Sequence, residues 1–200
     1  MLAVTTSPET LSLEIPSAIA LSITLEQFEA LAAVNRDLKL ERTAQGELIV
    51  NPPTGGESGQ RNFSLTTQLG RWCEENEALG VGFDSSTGFI LPNGAIRSPD
   101  LSWVSRERWE SLTPKQKKGF IPLCPDFVVE LRSESDSLDK LQKKLLEYRE
   151  NGARLGWLID PQNRQVEIYR QGKEVEILEN PTDLSGEDVL PNFSLNGSSL

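Results

Sequence analysis

The sequence contains no histidine. That removes Ser-His-Asp and Cys-His triads, histidine-ligated zinc and iron sites, and a histidine pH switch. Cysteine is scarce as well. Cys73 and Cys124 are too few for a disulfide scaffold or a cysteine-ligated zinc site. No apolar run approaches the ~20 residues a membrane helix needs. The opening stretch, Met1 to Ser7, lacks the basic residues and apolar core of a signal peptide. A soluble cytoplasmic protein is expected, and any catalysis must rest on carboxylates, lysine, arginine, hydroxyls or a hard metal ion.

What is present is an ordinary globular composition, 37% apolar and 25% charged over 200 residues. That is room for one domain or at most two small ones. The formal net charge of −10 taken alone argues against nucleic acid as a partner. Its distribution weakens that argument. Residues 97 to 154 carry 12 Lys+Arg against 10 Asp+Glu, whereas no base precedes Arg36 and none follows Lys173.

Residues 1 to 20 show no firm periodicity and read as a flexible N-terminal segment, leaving 21 to 200 as a single domain. Thr24 with Gln27 has the spacing of a helix-opening capping box. Leu38 to Thr43 and Glu47 to Val50 flank the turn Ala44-Gln45-Gly46, a hairpin signal. Leu65, Leu69, Trp72 and Cys73 recur at helical spacing before Gly80. Gly82 to Leu91, Ala95 to Val104 and Asp126 to Arg132 read as three strands expected to share one sheet. A short helix and loop lie over Arg106 to Phe120. Asp136 or Ser137 opens a helix with the stripe Leu138, Leu141, Leu145 and Tyr148. A strand over Gly156 to Asp160 and a hairpin around Gln171-Gly172 complete a mixed α/β, or α+β mixed-sheet, domain. The glycines at 55 and 56 are not a phosphate loop, because no Gly-Lys-Ser/Thr follows.

Four acids stand inside apolar strands: Asp84, Asp100, Asp126 and Glu130. A lone buried carboxylate is expensive, so such residues sit at a strand end, in a pair, or on a metal. Asp126 and Glu130 share a face but are four residues apart, about 13 Å along a strand, too far for one ion. Neighbouring strands lie about 4.8 Å apart, so Asp100 and Glu130 can share a cation if their strands pair. The Leu131 carbonyl and waters would complete an oxygen shell suited to Mg²⁺ or Mn²⁺. The other reading makes Glu130 half of a structural ion pair with Arg132 or a helix lysine. From the residues alone, that reading is at least as strong.

The string Arg97-Ser98-Pro99-Asp100, followed by Pro125-Asp126-Phe127-Val128-Val129-Glu130-Leu131-Arg132-Ser133, resembles the PD-(D/E)XK nuclease superfamily. More narrowly, the chain is similar to a restriction-endonuclease-like family abundant in cyanobacteria. The likeness extends through Leu40-Glu41-Arg42-Thr43, Gly46-Glu47-Leu48-Ile49, Phe83 to Phe89, Leu91 to Ala95, and Asn151 to Pro161. The resemblance implies a restriction-endonuclease-like core of helix, three strands, helix and strand, to which the turn signals above add N-terminal and C-terminal hairpins. It implies Mg²⁺ or Mn²⁺ on Asp100 and Glu130, with Glu57 the candidate glutamate of the first core helix. It also implies DNA as partner, a homodimer, and metal-assisted phosphodiester hydrolysis.

The departure is Arg132, where the superfamily usually has lysine. An arginine keeps its proton and is a poor base, although it can still stabilise charge on a phosphate. Some members supply the lysine from the following helix, which offers Lys140 and Lys144; Lys144 borders the buried stripe and is preferred. The alternative is a non-catalytic binding or regulatory module on a decayed nuclease core. A glycosidase would also use two acids, but 6% aromatics offer no sugar groove.

Overall fold

The structure is a computed structural model that describes residues 21–197. The segment read as flexible, 1 to 20, lies outside the described residues. The chain opens with α1 (Leu25–Val34), β1 (Lys39–Arg42), β2 (Leu48–Asn51), α2 (Gly56–Glu75) and β3 (Gly80–Asp84). It continues with β4 (Phe89–Ile90), β5 (Ile96–Arg97), β6 (Leu101–Ser105), α3 (Arg106–Glu110), α4 (Pro114–Lys118) and β7 (Phe127–Leu131). It closes with α5 (Leu138–Glu150), β8 (Leu155–Asp160), β9 (Gln165–Arg170), β10 (Glu176–Glu179), β11 (Asp183–Ser185) and β12 (Ser194–Asn196).

A six-stranded mixed sheet, ordered β10-β9-β8-β7-β6-β3, is the centre of the domain. All its pairs are antiparallel except β7 with β8, which α5 connects as a crossover. Side-chain alternation divides the sheet into two faces. Leu101, Trp103, Phe127, Val129 and Leu131 pack with Leu65, Leu69 and Trp72 of α2. Val104 and Val128 face the other way, onto Leu145 and Tyr148 of α5. Asp100 and Glu130 have the parity of this second face. The core order α2, β3, β6, β7, α5, β8 is the helix, three-strand, helix, strand order expected.

A second sheet, ordered β2-β1-β5-β4, corrects the expectation that the strands of 82 to 160 share one sheet. The run from Gly82 to Leu91 divides because Asp84 Oδ1 accepts from the Ser86 amide at 3.0 Å and its hydroxyl at 2.6 Å, closing a turn. The run from Ala95 to Val104 divides at Pro99, which has no N–H to continue a ladder. The fragments β4 and β5 then pair with each other, and β5 joins β1 at Arg42 opposite Ile96. Phe28 of α1 fixes this sheet by packing on Leu40 and Ile96. The Thr24–Gln27 capping box that opens α1 has both reciprocal bonds, at 3.2 and 2.9 Å. No helix among the described residues is long and apolar enough to cross a membrane.

Candidate active site

Pairing of β6 with β7 sets Leu101 opposite Val129, so Asp100 and Glu130 follow as neighbours at the same end of the two strands. The Asp100 amide donates to the Val129 carbonyl at 3.0 Å, and Asp100 Oδ2 accepts from the Leu131 amide at 2.9 Å. These bonds fix the carboxylate to the backbone of β7. Its other oxygen, Oδ1, lies 3.3 Å from Lys39 Nζ.

Glu130 is buried on the α5 face. Its Oε1 contacts Lys144 Nζ at 2.8 Å and accepts from the Tyr148 hydroxyl at 3.1 Å. Lys144 and Tyr148 are four residues apart, which places both on one stripe of α5. The same ammonium lies 2.9 Å from Glu41 Oε1. Glu41, also buried, accepts from the Ser98 amide at 2.9 Å and pairs with Arg97 Nη1 at 3.4 Å. Arg97 Nε continues the chain to Glu147 Oε2 at 2.6 Å.

The electrostatics follow from burial and neighbours. Burial pushes the Glu130 carboxyl up to about 7; Lys144 opposes the rise, and the Asp100 and Glu41 carboxylates add to it. Burial also raises Glu41, but Lys144 and Arg97 outweigh it and hold that group below the usual carboxylate value. For Lys144, burial disfavours the ammonium, yet Glu130 and Glu41 prevail and keep it protonated above the usual lysine value. The Tyr148 hydroxyl is raised well above its ordinary value, by burial first and then by Glu130 and Glu41. A hydroxyl held protonated is a fixed donor to Glu130.

Asp100, Glu130, Leu131 and Lys144 line one cleft of about 440 Å³, walled by β1–β2, the start of α2 and the loop after β7. The structure therefore brings together four of the six residues singled out from the sequence. It takes the other two elsewhere. Arg132 Nη1 pairs with Asp160 Oδ2 at 2.8 Å and its Nε donates to the Asp136 carbonyl at 3.3 Å, so its guanidinium ties β7 to β8. Glu57 is exposed on the first turn of α2 and pairs with Arg61 at 3.4 Å; Ser58 and Asn62 are the α2 residues that line the cleft. Asp126, the other strand acid, pairs with Arg108 at 2.9 Å and accepts from the Ser105 amide at 2.8 Å.

Glu41, Lys39 and Tyr148 were not singled out as site residues. The signal for Tyr148 was its spacing from Lys144. Lys39 and Glu41 alternate with Leu40 in a four-residue strand, a pattern that also describes a solvent-facing edge. As ligands, the carboxylates of Asp100 and Glu130 are hard oxygen donors. Among the described residues no three His, Cys, Asp or Glu side chains converge as metal ligands. A pair of carboxylates fits Mg²⁺, which is commonly held by one or two and keeps several waters.

No curated protein matches the chain. A crystal structure described as "a putative nuclease belonging to DUF820" from Anabaena variabilis ATCC 29413 superposes with a TM-score of 0.67 at 21% identity, covering 80% of this chain and 88% of that one. It shares the fold. The model of the Uma2 family, described as "Putative restriction endonuclease", matches residues 25–198. With nearly the whole domain matched, this chain belongs to the Uma2 family of restriction-endonuclease-like, nuclease-type proteins.

Proposed function

We propose that the protein is a metal-dependent endonuclease that hydrolyses phosphodiester bonds in DNA, with Asp100 and Glu130 holding Mg²⁺ or Mn²⁺. The observation that carries this reading is the convergence of Asp100, Glu130 and a buried lysine, paired with Glu130, in one cleft. The bound cation would lower the pKa of a water and neutralise charge on the phosphate. The rest of the work falls to the chain. Asp100 is held by the Leu131 amide and Glu130 by the Tyr148 hydroxyl, so both carboxylates are oriented before a ligand arrives. Contacts with Lys144 and Tyr148 both use Oε1 of Glu130, which leaves Oε2 for the cleft. Lys144, kept charged by two carboxylates, acts as a fixed cation that stabilises negative charge and not as a base. It fills the role that lysine at position 132 has in the wider superfamily. Arg132, engaged with Asp160 and the Asp136 carbonyl, is left with a structural part and does not share that role.

The second reading, a binding or regulatory module, draws on the net charge of −10 and the arginine at 132. Cleavage of plasmid DNA in Mg²⁺ or Mn²⁺ by the purified protein separates the two. The nuclease reading expects nicking that Asp100→Asn and Glu130→Gln abolish, and Mn²⁺ binding by calorimetry that the same changes weaken. Intact DNA with every divalent ion tested, and no Mn²⁺ binding, selects the module. We further infer a cytoplasmic homodimer, as the resemblance to dimeric nucleases implies. A monomeric mass in solution scattering at high concentration would contradict the dimer.

A further inference from the structure

The cleft that holds Asp100 and Glu130 does not end at Lys39. A second cleft, about 420 Å³, continues from it between the end of α1, the start of β1 and the turn after β3. The two share Asp37, Leu38, Lys39 and Ser85 as a common wall. Beyond that wall stand Asn35, Arg36, Ser86, Ser98 and Phe120. We propose that this second cleft is the subsite for the nucleotide flanking the scissile phosphate, and that Lys39, standing between the clefts, grips the phosphate that joins them. The proposal rests on the nuclease reading and extends it to how the strand lies.

The chemistry of the lining supports a nucleotide. Two cations, Lys39 and Arg36, match a phosphodiester; the Ser85 and Ser98 hydroxyls, and the amide N–H of Asn35 that its bond to the Leu31 carbonyl leaves over, match phosphate and sugar oxygens. Phe120 and Leu38 supply apolar surface of the kind on which a sugar or base rests. Lys39 has donors to spare. Its ammonium carries three N–H groups, its contact is a single Asp100 oxygen at 3.3 Å, and its side chain is 33% exposed. Strand alternation puts Lys39 and Glu41 on the same side of β1, so one strand braces Lys144 from Glu41 and reaches Asp100 from Lys39. Arg36 donates from Nε to the Ala33 carbonyl at 3.3 Å, which leaves its terminal nitrogens for a ligand. Asp37 is the one acid of the common wall and opposes a phosphate there, so an uncharged side chain at this position should bind the strand more tightly.

The test is binding of a fluorescein-labelled single-stranded octadeoxynucleotide, and of its duplex, to the full chain in EDTA, read by anisotropy over a series of salt concentrations. Lys39→Ala and Arg36→Ala should each weaken binding several-fold and make the slope of log K against log salt shallower by about 0.7 on the single strand, the loss of one phosphate contact. Ser86→Trp, which fills the cleft, should weaken binding with the slope unchanged. Asp37→Asn should tighten it. Arg71→Ala, an exposed cation on the far half of α2, should change neither quantity. Wild-type affinity and slope in both Lys39→Ala and Arg36→Ala overturn the proposal, as does an equal loss in Arg71→Ala. Failure of the nuclease reading is separate, because it shows as absent cleavage and absent Mn²⁺ binding in the wild-type protein.

Discussion

Glu130 makes the pH dependence of stability a direct test of the charge network. Its carboxyl moves from an ordinary 4.5 to about 7 on folding, because burial and the Asp100 and Glu41 carboxylates outweigh Lys144. A raised folded-state value means the native protein binds more protons than the unfolded chain between those limits. Stability from this group is therefore fully present below pH 4.5 and is lost as pH rises through 7. At about 1.4 kcal/mol per pH unit, the loss is roughly 3 kcal/mol by pH 8. The window is clean for a reason visible in the composition: with no histidine, no side chain of ordinary value titrates between pH 5 and 8. Burial also drives the Cys73 and Cys124 thiols up, to about 11 and about 12, further out of the window. Glu41 is shifted the opposite way, so its contribution is present above 4.5 and lost only as pH falls below it. Urea unfolding in EDTA at pH 5, 6, 7 and 8 should show the midpoint falling with pH. The drop should be about 1 M or more for an m-value of ~2 kcal/mol/M. Glu130→Gln should flatten the profile and be the more stable protein at pH 8. Parallel profiles for the two proteins would refute the placement of Glu130 in a carboxylate-rich, desolvated site.

Removing Glu41 breaks a buried pair on both sides, and Glu41→Ala should lower the unfolding free energy by about 3 kcal/mol or more in urea titration at pH 7. Glu41→Gln, which keeps an acceptor for the Ser98 amide, should lose less. Arg132→Lys should lose about 1 kcal/mol, because lysine cannot bond Asp160 and the Asp136 carbonyl together, while leaving DNA cleavage in Mg²⁺ unchanged. A gain of cleavage in that variant would put position 132 back into the catalytic chemistry.

Local chemistry carried most of the fold. The α1 capping box, the hairpin around Gly46 (φ +93°), and the α5 stripe were legible because each is decided within a few residues. Strand parity was enough to set Asp100 and Glu130 on one face once their strands paired. The division of 82 to 104 between two sheets was not legible, since Asp84 and Pro99 terminate strands whose flanking apolar runs look continuous. Nor was the last pairing, in which β11 and β12 bury Leu184 and Leu195 in segments rich in polar and turn residues. Glu41 escaped for a different reason. Its burial is created by α5 and by the end of β5 with Ser98 after it, which approach it from more than 50 residues away.

The charge count explains why the stress falls on Glu130. The linked groups are four carboxylates, Glu41, Asp100, Glu130 and Glu147, and three cations, Lys39, Arg97 and Lys144. Glu147 is matched to Arg97, and Glu41 draws on both Arg97 and Lys144. Asp100 has the half-exposed Lys39 and a backbone amide. Glu130 is left to share one ammonium with Glu41 in a buried position, and it is the member raised toward neutrality. A site with one carboxylate in excess favours an added cation over an added anion. On the proposed reading, the cleft repels phosphate until a divalent ion reverses its balance, so ion binding should precede tight engagement of the scissile phosphate. The cations of the second cleft, Lys39 and Arg36, would meanwhile hold the flanking phosphate without waiting for the ion.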